Sequence, residues 1–132
     1  MPESLTDELL QLNARLLESI DQGDWNTYQE LCDPALTAFE PESQGQLVEG
    51  MNFHRFYFFS KGSGAGNRNT TMCGPRVRVL GEVALITYVR LTQFLGPDGL
   101  PYTAATEETR IWQRQDKGWK HIHFHRSSPP RS

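Results

Sequence analysis

The sequence predicts an α+β domain in which helices come first and an antiparallel sheet follows. Three observations carry this prediction. Leu5, Leu9, Leu12, Leu16 and Ile20 recur at helical spacing near the N-terminus. After a Gly-rich stretch, from about residue 71 onward, the chain reads as a run of strands, separated by the turn sequences LGE, GPDG and DKG. Helices grouped ahead of strands is the order of an α+β domain, not of alternating β-α units.

The first helix covers residues 5 to 20, with Leu10 and Leu17 widening its apolar stripe. Ser4 or Thr6 can cap it, Asp7 and Glu8 suit the positive end of its dipole, and Gly23 ends it. Asp24 is the expected N-cap of a second helix whose apolar face is Trp25, Tyr28, Leu31 and Cys32, and Asp33-Pro34 stops it. LTAFEP then reads as a short strand. EGMNFHRFYFF suggests a third, short helix capped by Asn52 with Phe53, Phe56 and Tyr57 turned inward. SKGSGAGNRN is a connecting loop; it lacks the GK[ST] of a phosphate loop, and a strand follows it instead of a helix. Four strands are expected at 71–80, 83–95, 101–114 and 118–127.

VALITYVRLTQFL, residues 83 to 95, is apolar on both faces. Ala84, Ile86, Tyr88 and Phe94 share one side, and Val83, Leu85, Val89, Leu91 and Leu95 share the other. A strand with one wet face should alternate apolar and polar. The helices are needed on the inner face, so the outer face, with Val89 and Leu91, is expected to pack against another subunit.

At 132 residues the chain is one domain, 1–132, large enough for a core without disulfides, with a short flexible tail from about 128. A net charge of −3 argues against nucleic acid or an anionic membrane as partner. Cys32 and Cys73 lie far apart and fit no metal spacing, so reduced thiols are expected. No apolar run approaches the ~18 residues of a membrane span, and the acidic N-terminus is no signal peptide. A cytoplasmic protein without a cofactor is the expectation. One bias stands out: ten of the 13 basic residues are Arg, the choice for fixed, forked contacts with carboxylates.

The parity of three of these arginines points inward. Arg90 shares a face with Ile86 and Tyr88, Arg110 with Glu108 and Trp112, and Arg126 with Phe124. Guanidinium groups converging on one cavity must be answered by carboxylates or by a bound anion. Glu108, and Glu40 or Glu42, can supply the first. Spacing alone favours an internal Arg–Glu network over an anion pocket.

KHIHFHRS, residues 120 to 127, places His121, His123 and His125 on one strand face opposite Ile122, Phe124 and Arg126. Side chains on alternate residues are about 7 Å apart, too far for three to converge on one zinc. No metal is expected. The three histidines read as an outer face against a neighbouring subunit.

Together GDWNTYQELCDPALTAFEPESQGQLVEGMNFHRFYF, YVRLTQFL and EETRIWQRQDKGWKHIHFHRS closely resemble the association (hub) domain of calcium/calmodulin-dependent protein kinase II. CDP, TAFEPE, LVEG, FHRFYF, EETR and HFHRS recur in order, over about Leu9 to Ser128. The resemblance implies the NTF2-like (SnoaL-like) cone, N-terminal helices packed in a strongly curved antiparallel sheet. It implies subunits that pair and close into stacked rings, commonly of twelve or fourteen, which in the kinase family hold catalytic domains together. It also implies a pocket for a small carboxylate, lined by Arg90, Arg110, Arg126 and His54, and strand parity adds Tyr88 and Glu108 beside them.

Three departures matter. The chain contains no HRD, DFG or ATP-binding Gly-rich motif, so it is expected to be no kinase itself; it reads as a free-standing hub or as a piece of a longer chain, with kinase hub subunits as candidate partners. FSKGSGAGNRN replaces a segment where kinase hubs carry a Trp beside the pocket. His121 stands where kinase hubs tend to have an apolar residue. Because NTF2-like relatives include isomerases, dehydratases and hydrolases, an enzyme acting on a small molecule in the cone is the alternative, with His54, Tyr88 and Glu108 as its parts. Three arginines would hold a carboxylate there as a weak base, which favours binding over proton abstraction.

Overall fold

Ser4 begins the described chain as the cap of α1 (Leu5–Gln22), accepting a hydrogen bond from the Asp7 N–H. Gly23, at φ +68°, ends the helix in the left-handed conformation that glycine adopts without strain. Asp24 caps α2 (Trp25–Leu31) through the Thr27 N–H and hydroxyl. The structure is a computed structural model that describes residues 4–60 and 68–128. Most of the Gly-rich loop and the end of the tail lie outside the described residues.

The chain leaves α2 directly into β1 (Cys32–Phe39), earlier than LTAFEP suggests. Pro34 interrupts this strand, where it can donate no ladder hydrogen bond, and the pairing with β6 is irregular between Cys32 and Thr37. A 3-10 turn at Pro41–Ser43 and the two-residue β2 (Val48–Glu49) follow. α3 (Asn52–Phe58) comes next, then β3 (Arg68–Leu80), β4 (Val83–Leu95), β5 (Pro101–Gln115) and β6 (Gly118–Ser127). The six strands form one sheet in the order β2-β1-β6-β5-β4-β3. It is antiparallel throughout except for β1 and β6, which run parallel.

The helices cover one face of the sheet. Leu9, Leu16 and Leu17 of α1 are buried with Leu36 and Ala38 of β1, Ala84 and Ile86 of β4 and Trp112 of β5. Asn13, wholly buried in the same helical stripe, accepts a hydrogen bond from Trp112 Nε1 at 3.1 Å, so the one polar edge of the indole is satisfied. On β4 the inner residues Ala84, Ile86, Tyr88 and Arg90 are buried. The outer Val83, Leu85, Val89 and Leu91 stay half-buried, an apolar face that no described residue buries.

Two expectations about side-chain direction fail. In α3 the buried residue is His54, while Phe56 and Tyr57 are 69% and 40% exposed. Asn52 is the first helical residue and Met51 precedes it with no side-chain cap. A seven-residue helix has room for one buried position, and a histidine holds it. The second failure is His121, which is not on the outer face with His123 and His125 but is fully buried. Across β5–β6, Trp112 pairs with His121 and Ile111 with His123, leaving Ile122 as an extra residue. This bulge shifts the alternation by one. Trp119 and His121 therefore face the core, and so do Phe124 and Arg126, while His123 and His125 face outward.

Candidate functional site

The register of β4, β5 and β6 builds the site. Tyr88, Glu108 and Arg126 stand side by side across three strands, and Ile86, Arg110 and Phe124 form the adjacent row. Arg90 lies two residues beyond Tyr88 on the same inner face. Glu108 is thus surrounded. Its Oε1 accepts from Tyr88 Oη at 2.6 Å and from Arg110 Nε at 3.1 Å, and lies 3.0 Å from Arg110 Nη2. Its Oε2 makes no hydrogen bond but lies 3.7 Å from Arg90 Nη1 and 3.9 Å from Arg126 Nε. Burial works against its charge, yet Arg110, Arg90 and the Tyr88 hydroxyl outweigh it and hold the carboxyl below its usual range.

Arg110, 1% exposed, also lies 4.4 Å over the Phe124 ring. Its Nη1 is 3.5 Å from His121 Nε2. A guanidinium can only donate, so this nitrogen accepts, and the imidazole carries its hydrogen on Nδ1, 3.5 Å from Cys32 Sγ. Burial first, then the Arg110 charge, pushes the His121 pKa well down and keeps it neutral. Burial pushes the Cys32 thiol up to about 12, so it is an inert core group.

Arg90 is held by Asp21 at the end of α1, Nη2 to Oδ1 at 2.8 Å, and its Nε donates to Thr70. Asp21 was not foreseen; it continues the buried stripe one turn after Leu17, the only sign of its role. Arg126 donates to Glu42 Oε2 at 2.6 Å and lies 3.5 Å from Glu40 Oε1. His54, from α3, brings Nδ1 to 3.5 Å from Glu40 Oε2. Neither that oxygen nor His54 Nε2 makes a hydrogen bond, although both are buried. Burial pushes His54 down to about 4 and Glu40 up to about 7.

These side chains wall a cavity of about 470 Å³ between the sheet, α3 and the end of α1. Of the expected pocket residues, His54, Arg90, Arg110 and Arg126 line it, with Tyr28, Phe58 and Phe124 as apolar wall. Tyr88 and Glu108 lie behind the arginines and orient them. The Arg–Glu network read from spacing therefore exists, and the cavity lies in front of it. Val89 and Leu91 lie half-buried on the outer face, with His123, whose Nδ1 is 2.7 Å from the Thr37 hydroxyl, and the exposed His125. Among the described residues no group of His, Cys, Asp and Glu could hold a metal, and no helix is long and apolar enough to cross a membrane.

Residues 6–130 match the family profile of the calcium/calmodulin dependent protein kinase II association domain. The chain belongs to this family. An association-domain relative, the calcium/calmodulin-dependent protein kinase type II subunit delta of Oryctolagus cuniculus, is 47% identical over 93% of the chain. The chain spans about a quarter of that protein's length, 24%. The hub homology domain of Chlamydomonas reinhardtii superposes with a TM-score of 0.87 at 42% identity, over 96% of this chain and all of that one. An NTF2-like protein from Salmonella enterica reaches a TM-score of 0.77 at 21% identity, over 95% of this chain and 91% of its own, and shares the fold. The association domain here is thus an NTF2-like α+β fold with an arginine-walled cavity on one side of its sheet and a half-buried apolar face on the other.

Proposed function

We propose that this chain is a non-catalytic oligomerisation hub whose subunits pair through the outer face of the sheet and close into a ring of the dodecamer or tetradecamer class. The observation that carries the reading is the outer face of β4. Leu85, Val89 and Leu91 remain half-buried there beside Ile111, where a monomer would place polar residues. Size-exclusion chromatography with light scattering tests it. A mass many times 15.1 kDa is expected, and a monomer at micromolar concentration overturns the reading. The cavity is proposed to take a small carboxylate, with Arg126 and the two deeper arginines answering its charge and Phe58 and Phe124 its apolar body. Mixed assembly with kinase hub subunits, in the cytoplasm, fits the same surface.

A second reading, an NTF2-type enzyme, is favoured by one observation. The Glu40 carboxyl and the neutral His54 imidazole meet inside the cavity with a free oxygen and a free nitrogen. Turnover of a small apolar ketone or epoxide that His54→Ala abolishes would establish it.

A further inference from the structure

The charges around the cavity balance before a ligand enters. Arg90, Arg110 and Arg126 face Asp21, Glu40 and Glu108, whose side chains are no more than 6% exposed, and Glu42 adds a fourth, half-exposed carboxylate. Arg68, at the rim, is exposed to solvent. A bare anion entering this site meets no surplus of positive charge, and burying it there is costly. Three of the four carboxylates have a hydrogen-bonded arginine, Asp21 with Arg90, Glu108 with Arg110 and Glu42 with Arg126, and the remaining Glu108 oxygen lies between Arg90 and Arg126 outside the cavity lining. Glu40 is different. It lines the cavity, its Oε1 is 3.5 Å from Arg126, and its buried Oε2 has no hydrogen-bond partner.

We propose that the cavity takes its ligand as an acid–carboxylate pair with Glu40. The Glu40 carboxyl keeps a proton and donates it in a hydrogen bond to the ligand carboxylate, Arg126 pairs with the ligand's charge, and one proton enters from solvent with each anion when Glu40 starts ionised. The inference rests on the arginine-pocket reading and makes Glu40 a ligand-binding residue of that pocket.

The surroundings of Glu40 single it out. Burial, and Glu42 beside it, raise its pKa to about 7 against the opposing pull of Arg126 and Arg110. Facing it from α3, His54 is held neutral; from α2 and β4, Tyr28 and Tyr88 are pushed upward and keep their protons. Glu42 of the 3-10 turn and Glu108 of β5 are held low and ionised. Asp21 of α1 is paired with Arg90, Arg68 of β3 and the three inner arginines add guanidinium groups, and His121 of β6 stays neutral behind Arg110.

Calorimetry with benzoate as the probe, between about pH 5.5 and 8.5 in buffers of different ionisation enthalpy, tests the proposal. The wild-type Kd is expected to rise by nearly tenfold per pH unit above about pH 7.5, with proton uptake approaching one per site. Glu40→Gln keeps a neutral donor in place, so it should bind with no proton uptake and a flat pH profile, and more tightly than wild type at pH 8.5. Benzoate binding that is independent of pH, or a Glu40→Gln variant that keeps the wild-type slope, overturns the proposal and leaves the arginine pocket standing. A folded wild type that binds no benzoate at any of these pH values overturns both.

Discussion

Glu108 and its three arginines show why the two sides of an ion-pair network respond differently to mutation. Arg110→Ala strips the main partner from a buried carboxylate and is expected to cost about 3–5 kcal/mol of stability, read as a large fall in Tm. Arg126, 23% exposed and paired with the half-exposed Glu42, is the cleaner probe of the cavity. Arg126→Ala should leave the fold intact and weaken carboxylate binding by about 1–3 kcal/mol, the range for a charged hydrogen bond; unchanged binding by calorimetry would remove Arg126 from the pocket. Two neighbours give opposite pH dependences. His54 titrates near 4 in the fold against an ordinary 6.5, so its contribution is present above about pH 6.5 and lost as pH falls through 4, on the order of 3 kcal/mol. Glu40, raised to about 7, stabilises the fold below its ordinary 4.5 and loses that contribution as pH rises through 7. Calorimetric Tm profiles should lose part of the acid limb in His54→Gln and the neutral limb in Glu40→Gln.

Among the elements, β6 carries two phases of alternation joined at Ile122. Deleting Ile122 would set His121 beside His123 in a regular ladder that keeps His121, Phe124 and Arg126 inward, so the variant is expected to retain its cooperative near-UV transition, and loss of that transition would show that the bulge itself is needed. Asn13→Leu in α1 should cost about 1–3 kcal/mol by leaving Trp112 Nε1 unpaired in the core. The boundaries of β3 to β6 were legible because turn sequences and alternation agree there, and the inward parity of Arg90, Arg110 and Arg126 was legible for the same reason. The bulge was not. Ile122 and His121 can each sit in or out, and only cross-strand pairing decides. Phe56 and Tyr57 misled because aromatic content suggests burial, whereas the turn of α3 grants that place to His54. Asp21 escaped notice because an acidic residue at a helix end reads as surface until an arginine from another strand meets it.

At the scale of the whole molecule, the sheet separates two tasks. Its inner face holds the core and the cavity, and its outer face is the one proposed to meet a neighbour. Asp at both Val89 and Leu91 should therefore reduce the assembly to smaller species by light scattering while the far-UV spectrum keeps its shape. If the mass is unchanged, the outer face of β4 is not the contact. The same separation predicts that the cavity variants leave the assembly mass unaltered, since Glu40, His54 and Arg126 all lie on the other side.

The parallel pairing of β1 with β6 has a consequence for the order of folding. β6 follows the other five strands of the sheet in chain order, yet it lies in the interior, with β1 and β2 on one side of it and β5, β4 and β3 on the other. Until residues 118–127 have left the ribosome, the chain can form a β3–β5 meander and a helical N-terminal portion, but no ladder joins the two. The long-range closure therefore waits until β6 has emerged. A nascent chain halted before Gly118 would expose both unpaired edges, of β1 and of β5, at the point where strand addition by another chain is most easily templated.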